Sequence, residues 1–101
     1  MKLAIVGCGN IGFRHFQSIL NLEINCQIFL IDNSINALRK CKKYLDANPN
    51  INLKVHFLDD FDKTSSNLDI IIIATNAFPR RNIIEKIYDR NKPKYIILEK
   101  F

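Results

Sequence analysis

A chain of 101 residues with 48% apolar and 25% charged side chains and a net charge of +5 is long enough for one folded domain, too short for two and not polar enough for disorder. Its longest apolar run, Ile70 to Ala74, is far below the roughly 20 residues of a membrane span, and Met1-Lys2-Leu3 leads straight into a strand without a signal or transit segment, so a cytoplasmic protein with no membrane partner is expected. Three cysteines (Cys8, Cys26, Cys41) with no C-x-x-C pair argue against a disulfide framework or a structural zinc site.

The elements alternate between strand and helix. Leu3 to Val6 reads as the first strand, and Ile11, Phe16, Ile19 and Leu20 at helical spacing predict a helix over about Asn10 to Leu22. Gln27 to Ile31 is the second strand. Ser34 is a candidate N-cap for a second helix marked by Ile35, Leu38, Cys41 and Leu45, and Asn48-Pro49-Asn50 stops it. The basic run Arg39-Lys40-Cys41-Lys42-Lys43 lies inside this helix. Such a run can draw nucleic acid, but the apolar stripe through it and the absence of any zinc-finger or RNA-recognition pattern make it a solvated face, and no nucleic-acid partner is expected.

In the third strand, Asn52 to Leu58, the apolar residues Leu53, Val55 and Phe57 alternate with Lys54 and His56, as at a sheet edge with one exposed face. Asp69 to Ala74 contains four consecutive isoleucines, which suits a central parallel strand covered on both sides. Pro79 can open a third helix with Ile83, Ile84 and Ile87 as its inner stripe, and Tyr95 to Leu98 is a fifth strand. Right-handed crossovers between parallel strands then predict an α/β fold: a three-layer, doubly wound parallel sheet of order 3-2-1-4-5, with its crevice at the carboxyl ends of strands one and four.

That crevice falls where the sequence carries its clearest motif. Gly7-Cys8-Gly9-Asn10-Ile11-Gly12 follows the first strand and opens the first helix, and Asp32 ends the second strand twenty residues further on. Gly7 allows a tight turn, Gly9 lets a pyrophosphate approach the backbone, and Gly12 lets the helix pack closely on the sheet; the helix start offers N–H groups and a partial positive charge to phosphates. The carboxylate of Asp32 can accept hydrogen bonds from an adenosine ribose, with Asn33 beside it, and it would repel a 2′-phosphate. NAD is therefore expected over NADP. The competing reading is a purely structural glycine turn.

These segments together resemble the N-terminal domain of the Gfo/Idh/MocA family of NAD(P)-dependent oxidoreductases. The resemblance rests on Ala4-Ile5-Val6-Gly7-Cys8-Gly9-Asn10-Ile11-Gly12 with Arg14-His15 following, on Ile31-Asp32, on Asp69 to Thr75, and on Glu99-Lys100 as the first two residues of an E-K-P motif. It implies a Rossmann fold and hydride transfer between a nicotinamide cofactor and a small, sugar-like or sugar-nucleotide substrate. It further implies that Thr75 and Asn76 border the nicotinamide, that Glu99 stands at the rim, and that Lys100 is the active-site lysine. The family's Pro is Phe101 here, and Asn76-Ala77-Phe78-Pro79-Arg80 lacks the His that the family places in this loop. Residues 1–101 are then one NAD(P)-binding domain, the N-terminal part of a longer two-domain enzyme whose catalytic Asp/His pair lies elsewhere. An apolar fifth strand at an edge predicts self-association or a homo-oligomer. The alternative function is a non-catalytic NAD(H)-sensing module.

Other reactive residues have plainer readings. Cys8 is a small loop filler rather than a redox switch, although a thiol near a helix start can have a depressed pKa. His15 is a polar residue on the helix flank rather than a general base, and His56 faces outward, away from the crevice. Asp59-Asp60-Phe61-Asp62 lacks the ligand spacing of a calcium loop and reads as a solvated loop with a helix cap.

Overall fold

The computed structural model describes residues 1–64, 67–75, 84–87 and 93–99. Five strands, β1 (Lys2–Val6), β2 (Cys26–Ile31), β3 (Leu53–Leu58), β4 (Ile70–Ile73) and β5 (Tyr95–Leu98), form one sheet in the order β3-β2-β1-β4-β5. Every neighbouring pair is parallel, so the sheet has the expected doubly wound order.

Successive strand residues point to opposite faces, and here both faces are covered. On one, Leu3, Ile5, Ile28, Leu30 and Ile72 pack with Phe16, Ile19 and Leu20 of α1 (Asn10–Leu20) and Cys41 of α2 (Ile35–Ala47). On the other, Ala4, Val6, Phe29, Ile31, Ile71 and Ile73 pack with Phe61, Leu68 and Ile87. Two apolar faces explain why β4 tolerates an unbroken run of isoleucine: Ile71 and Ile73 are 0% exposed on one side and Ile72 is 4% exposed on the other. Each buried isoleucine contributes about 1.5–3 kcal/mol.

Several predicted boundaries shift. Helix α1 stops at Leu20 rather than Leu22, because Asn21 and Leu22 donate their N–H groups to Ser18 and Ile19, tightening the last turn and leaving Leu22 exposed. Ser34 caps α2 as expected, accepting from the Ala37 N–H at 3.4 Å. His56 is only partly exposed, with its Nε2 buried. Its ring lies in register with Phe29 and stacks on it, with centroids 4.7 Å apart and planes 13° from parallel. The third helix predicted after Pro79 falls partly outside the described residues; within them, 84–87 are helical, and Ile84 and Ile87 pack on the second core face.

Candidate functional site

The carboxyl ends of β1, β2 and β4 meet above the sheet. Main-chain bonds continue the ladder past each strand: Gly7 N–H to Ile31 O (2.8 Å), Ala74 N–H to Val6 O (2.8 Å) and Asp32 N–H to Leu58 O (3.1 Å). A cleft of about 560 Å³ opens there. Its floor is Val6, Gly7, Gly9 and Ala74-Thr75, one end is Ile31, Asp32 and Asn33, and the wall is Asp59, Asp60, Phe61 and Lys86.

The three glycines differ in what holds them. Gly7 has φ +95°, and a Cβ there would meet the Ala74 carbonyl carbon and Thr75 Cγ2 at 2.9 Å, so the turn out of β1 admits no side chain. A Cβ on Gly12 would overlap the Gly7 carbonyl oxygen, because the helix enters directly beneath the loop. At Gly9 nothing lies within 4 Å of a Cβ, although the residue borders the cleft. The absent side chain leaves open space there. Gly9 is also the N-cap of α1 without a side-chain cap, so the first-turn N–H groups of Asn10, Ile11 and Gly12 have no intrahelical acceptor.

Asp32 is half-buried and accepts twice from the main chain: the Cys8 N–H donates to Oδ2 at 2.7 Å and the Ser34 N–H to Oδ1 at 2.8 Å. This carboxylate ties the glycine loop to the β2–α2 turn while retaining lone pairs for a ligand. Asp60 caps a short 3-10 turn (Phe61–Lys63) by accepting from Asp62 N–H at 2.9 Å, and Asp59 pairs with Lys63 at 2.6 Å, so the acidic cluster is a capped, exposed loop. The Cys8 thiol donates to Ile31 O at 3.8 Å and lies in the core beside Cys41. The neighbouring Cys41 thiol and burial push its pKa far above the ordinary thiol range, opposite to a reactive thiolate.

Of the predicted site residues, the cleft gathers Gly7, Gly9, Asp32, Asn33 and Thr75. Asn10, Ile11 and Gly12 form the first turn of α1 behind it. Glu99 instead pairs with His15, Nε2 to Oε1 2.6 Å, in a separate hollow of about 330 Å³ shared with Ile11, Arg14 and Ser18. Asn76 and Lys100 lie outside the described residues. Sequence reasoning missed the wall of Asp59, Asp60, Phe61 and Lys86. The position of 59–61 just past the carboxyl end of β3 was the available signal.

Comparisons with known proteins agree with this fold. No curated protein sequence matches the chain. Among solved structures, the malate dehydrogenase of Salinibacter ruber superposes with a TM-score of 0.68 at 15% identity, a likeness of fold alone. The match covers 98% of this chain and 36% of that one, so the chain spans about a third of the dehydrogenase's length. Among the described residues, no helix is long and apolar enough to cross a membrane. The sequence model of the Gfo/Idh/MocA oxidoreductases, described by their NAD-binding Rossmann fold, matches residues 1–100, and the chain belongs to this family.

Proposed function

We propose that residues 1–101 are the cofactor-binding domain of a two-domain oxidoreductase that transfers hydride between NAD and a sugar-like or sugar-nucleotide substrate. The observation that carries this reading is the vacant space over Gly9, at the unsatisfied start of α1 and on the floor of the cleft. A pyrophosphate can approach the backbone closely at such a position, where a side chain would stand in its way.

In this reading Gly7, Gly9 and the N–H groups of Asn10, Ile11 and Gly12 hold the pyrophosphate, Asp32 and Asn33 hold the adenosine ribose, and Thr75 and Asn76 border the nicotinamide. The bound nicotinamide supplies the hydride chemistry. Just past Glu99, which lies outside the cleft, the Lys100 ammonium orients a substrate hydroxyl and stabilises negative charge developing on its oxygen. The groups that complete turnover belong to a second domain, in keeping with the 36% span of the Salinibacter ruber enzyme. NAD is favoured over NADP because Asp32 faces the cleft while Lys40, a cation of α2 that could have met a 2′-phosphate, lies 4.4 Å over the Phe13 ring. Three free cysteines suit the reducing cytoplasm, and the exposed apolar side chains of β5 suit a homo-oligomer.

The test is a titration with NADH and NADPH followed by dihydronicotinamide emission, since the chain has no Trp. The wild type should bind NADH saturably and in preference to NADPH. Gly9→Val should weaken NADH by more than about tenfold, or about 1.4 kcal/mol, with a melting temperature lowered only by as much as the loss of a glycine N-cap brings, because a Cβ there meets open space. Equal NADH binding by Gly9→Val, or no binding of either nucleotide by the wild type, would sink the reading.

A further inference from the structure

We propose that Asp60 reads the base of the bound dinucleotide, its carboxylate accepting a hydrogen bond from the 6-amino group of adenine; this rests on the reading of the cleft as the cofactor site. Asp60 stands two residues past the end of β3 and lines the cleft together with Asp32. The two carboxylates come from neighbouring strands. Ile31 is in register with Leu58, and the Asp32 N–H donates to Leu58 O at 3.1 Å. The chain leaving β3 therefore starts beside the chain leaving β2, about one strand spacing of 4.8 Å away. A ribose held at Asp32 leaves its base, one glycosidic bond further on, to the part of the same cleft whose wall is residues 59–61.

Asp60 differs from the carboxylates next to it in having an oxygen to spare. Asp59 is paired with Lys63 at 2.6 Å and Asp62 with Lys86 at 3.6 Å. Asp60 makes no such pair among the described residues. Its Oδ1 accepts from the Asp62 N–H at 2.9 Å, which orients the carboxyl group, and no donor among the described residues meets Oδ2. An ionised carboxylate only accepts, so a ligand atom facing Oδ2 has to be a donor. On the adenosine half of a dinucleotide the donors are the ribose hydroxyls and the 6-amino group of the base. Asp32 takes the hydroxyls in the proposed reading, which leaves the amino group for Asp60. Hypoxanthine, with an oxygen at that position, would set one acceptor against another.

The experiment compares NADH with its analogue in which hypoxanthine replaces adenine, both followed by dihydronicotinamide emission. The wild type should bind NADH about tenfold more tightly than the analogue, the size of one lost hydrogen bond to a charged group. In Asp60→Asn the amide oxygen keeps the bond from Asp62 N–H and the NH2 takes the place of Oδ2, a donor where an acceptor stood. The preference should then reverse, with the analogue bound at least about threefold more tightly. Asp60→Ser, which keeps a capping oxygen but is too short to reach the base, should bind the two nucleotides within about twofold of each other. Both variants retain the cap, so an Asp60 that only shapes its loop would weaken both nucleotides alike and leave their ratio unchanged. Equal affinities in the wild type, or the wild-type ratio in Asp60→Asn, would overturn the proposal and leave the cofactor site standing. If the wild type binds neither nucleotide, the cofactor reading falls and this proposal with it.

Discussion

At the residue scale, Asp32 has a structural task beside the ribose contact proposed for it. The spacing of Gly12 and Asp32 and the end of an apolar run pointed to a carboxylate at the cleft, and the structure puts it there. The bonds from Cys8 N–H and Ser34 N–H were not legible, because they depend on how the loop after β1 and the turn after β2 fold toward each other. Charge-assisted bonds of this kind contribute about 1.5–3 kcal/mol each, and deleting the acceptor leaves donors partly shielded from water. Asp32→Ala should therefore lower the unfolding free energy by about 2–3 kcal/mol in urea titrations. Asp32→Asn, which still offers one acceptor, should lose about half of that. An unchanged midpoint in Asp32→Ala would show that the carboxylate does not hold the loop. Loss of NADH binding in that variant alone would not separate a ligand contact from a collapsed loop, which is why Gly9 is the sharper probe.

At the scale of elements, β3 departs most from its predicted character, and His56 shows why. Alternation of Leu53, Val55 and Phe57 with Lys54 and His56 marks one apolar face correctly: Leu53, Val55 and Phe57 pack with the cluster under α1 and α2. The opposite face was read as solvated because no local pattern reveals that Phe29, in register across β2, offers an aromatic surface, or that Phe61 folds over the same side. His56 Nε2 is buried with no hydrogen-bond partner among the described residues. Burial holds its pKa below the ordinary 6.5, and the Lys54 charge adds to the depression. The sign follows. Below 6.5 the unfolded chain takes up a proton that the folded ring refuses, so stability is complete above that pH and falls beneath it until the folded ring also titrates. His56→Phe, which keeps the stack, should remove this slope, worth at most about 1.4 kcal/mol per pH unit. Urea midpoints of both proteins near about pH 7.5 and about pH 5.5 test it, and equal losses on acidification would refute the assignment to His56. By contrast β4 was legible in full character, since four isoleucines in a row admit few environments other than a strand covered on both faces. The pair of His15 and Glu99 was beyond reach for the opposite reason: 84 residues separate partners that only the closed sheet brings together.

At the scale of the whole molecule, the two-sided core ends before the sheet does. The side chains of β5 alternate like those of its neighbours, with Tyr95 and Ile97 on the face that α1 and α2 cover over β1 and β2, but there they are 66% and 43% exposed, and Leu98 is 49% exposed on the other face. An apolar strand of this kind at a sheet edge is a template for another chain. A net charge of +5 opposes that contact between copies, since like charges repel across an uncharged patch until salt screens them. Association should therefore be weak at low ionic strength and strengthen with added salt, the reverse of an interface built from opposite charges. Sedimentation velocity over a range of concentrations, at about 20 mM and about 500 mM salt, would show the average mass rising with concentration chiefly in the second condition. Ile97→Lys should return the protein to monomer without lowering its melting temperature, because Ile97 already stands in solvent and loses little on substitution. A wild-type profile that stays monomeric in both conditions would mean that the exposed strand does not recruit a second copy. A mass that rises equally in Ile97→Lys would place the contact on another surface.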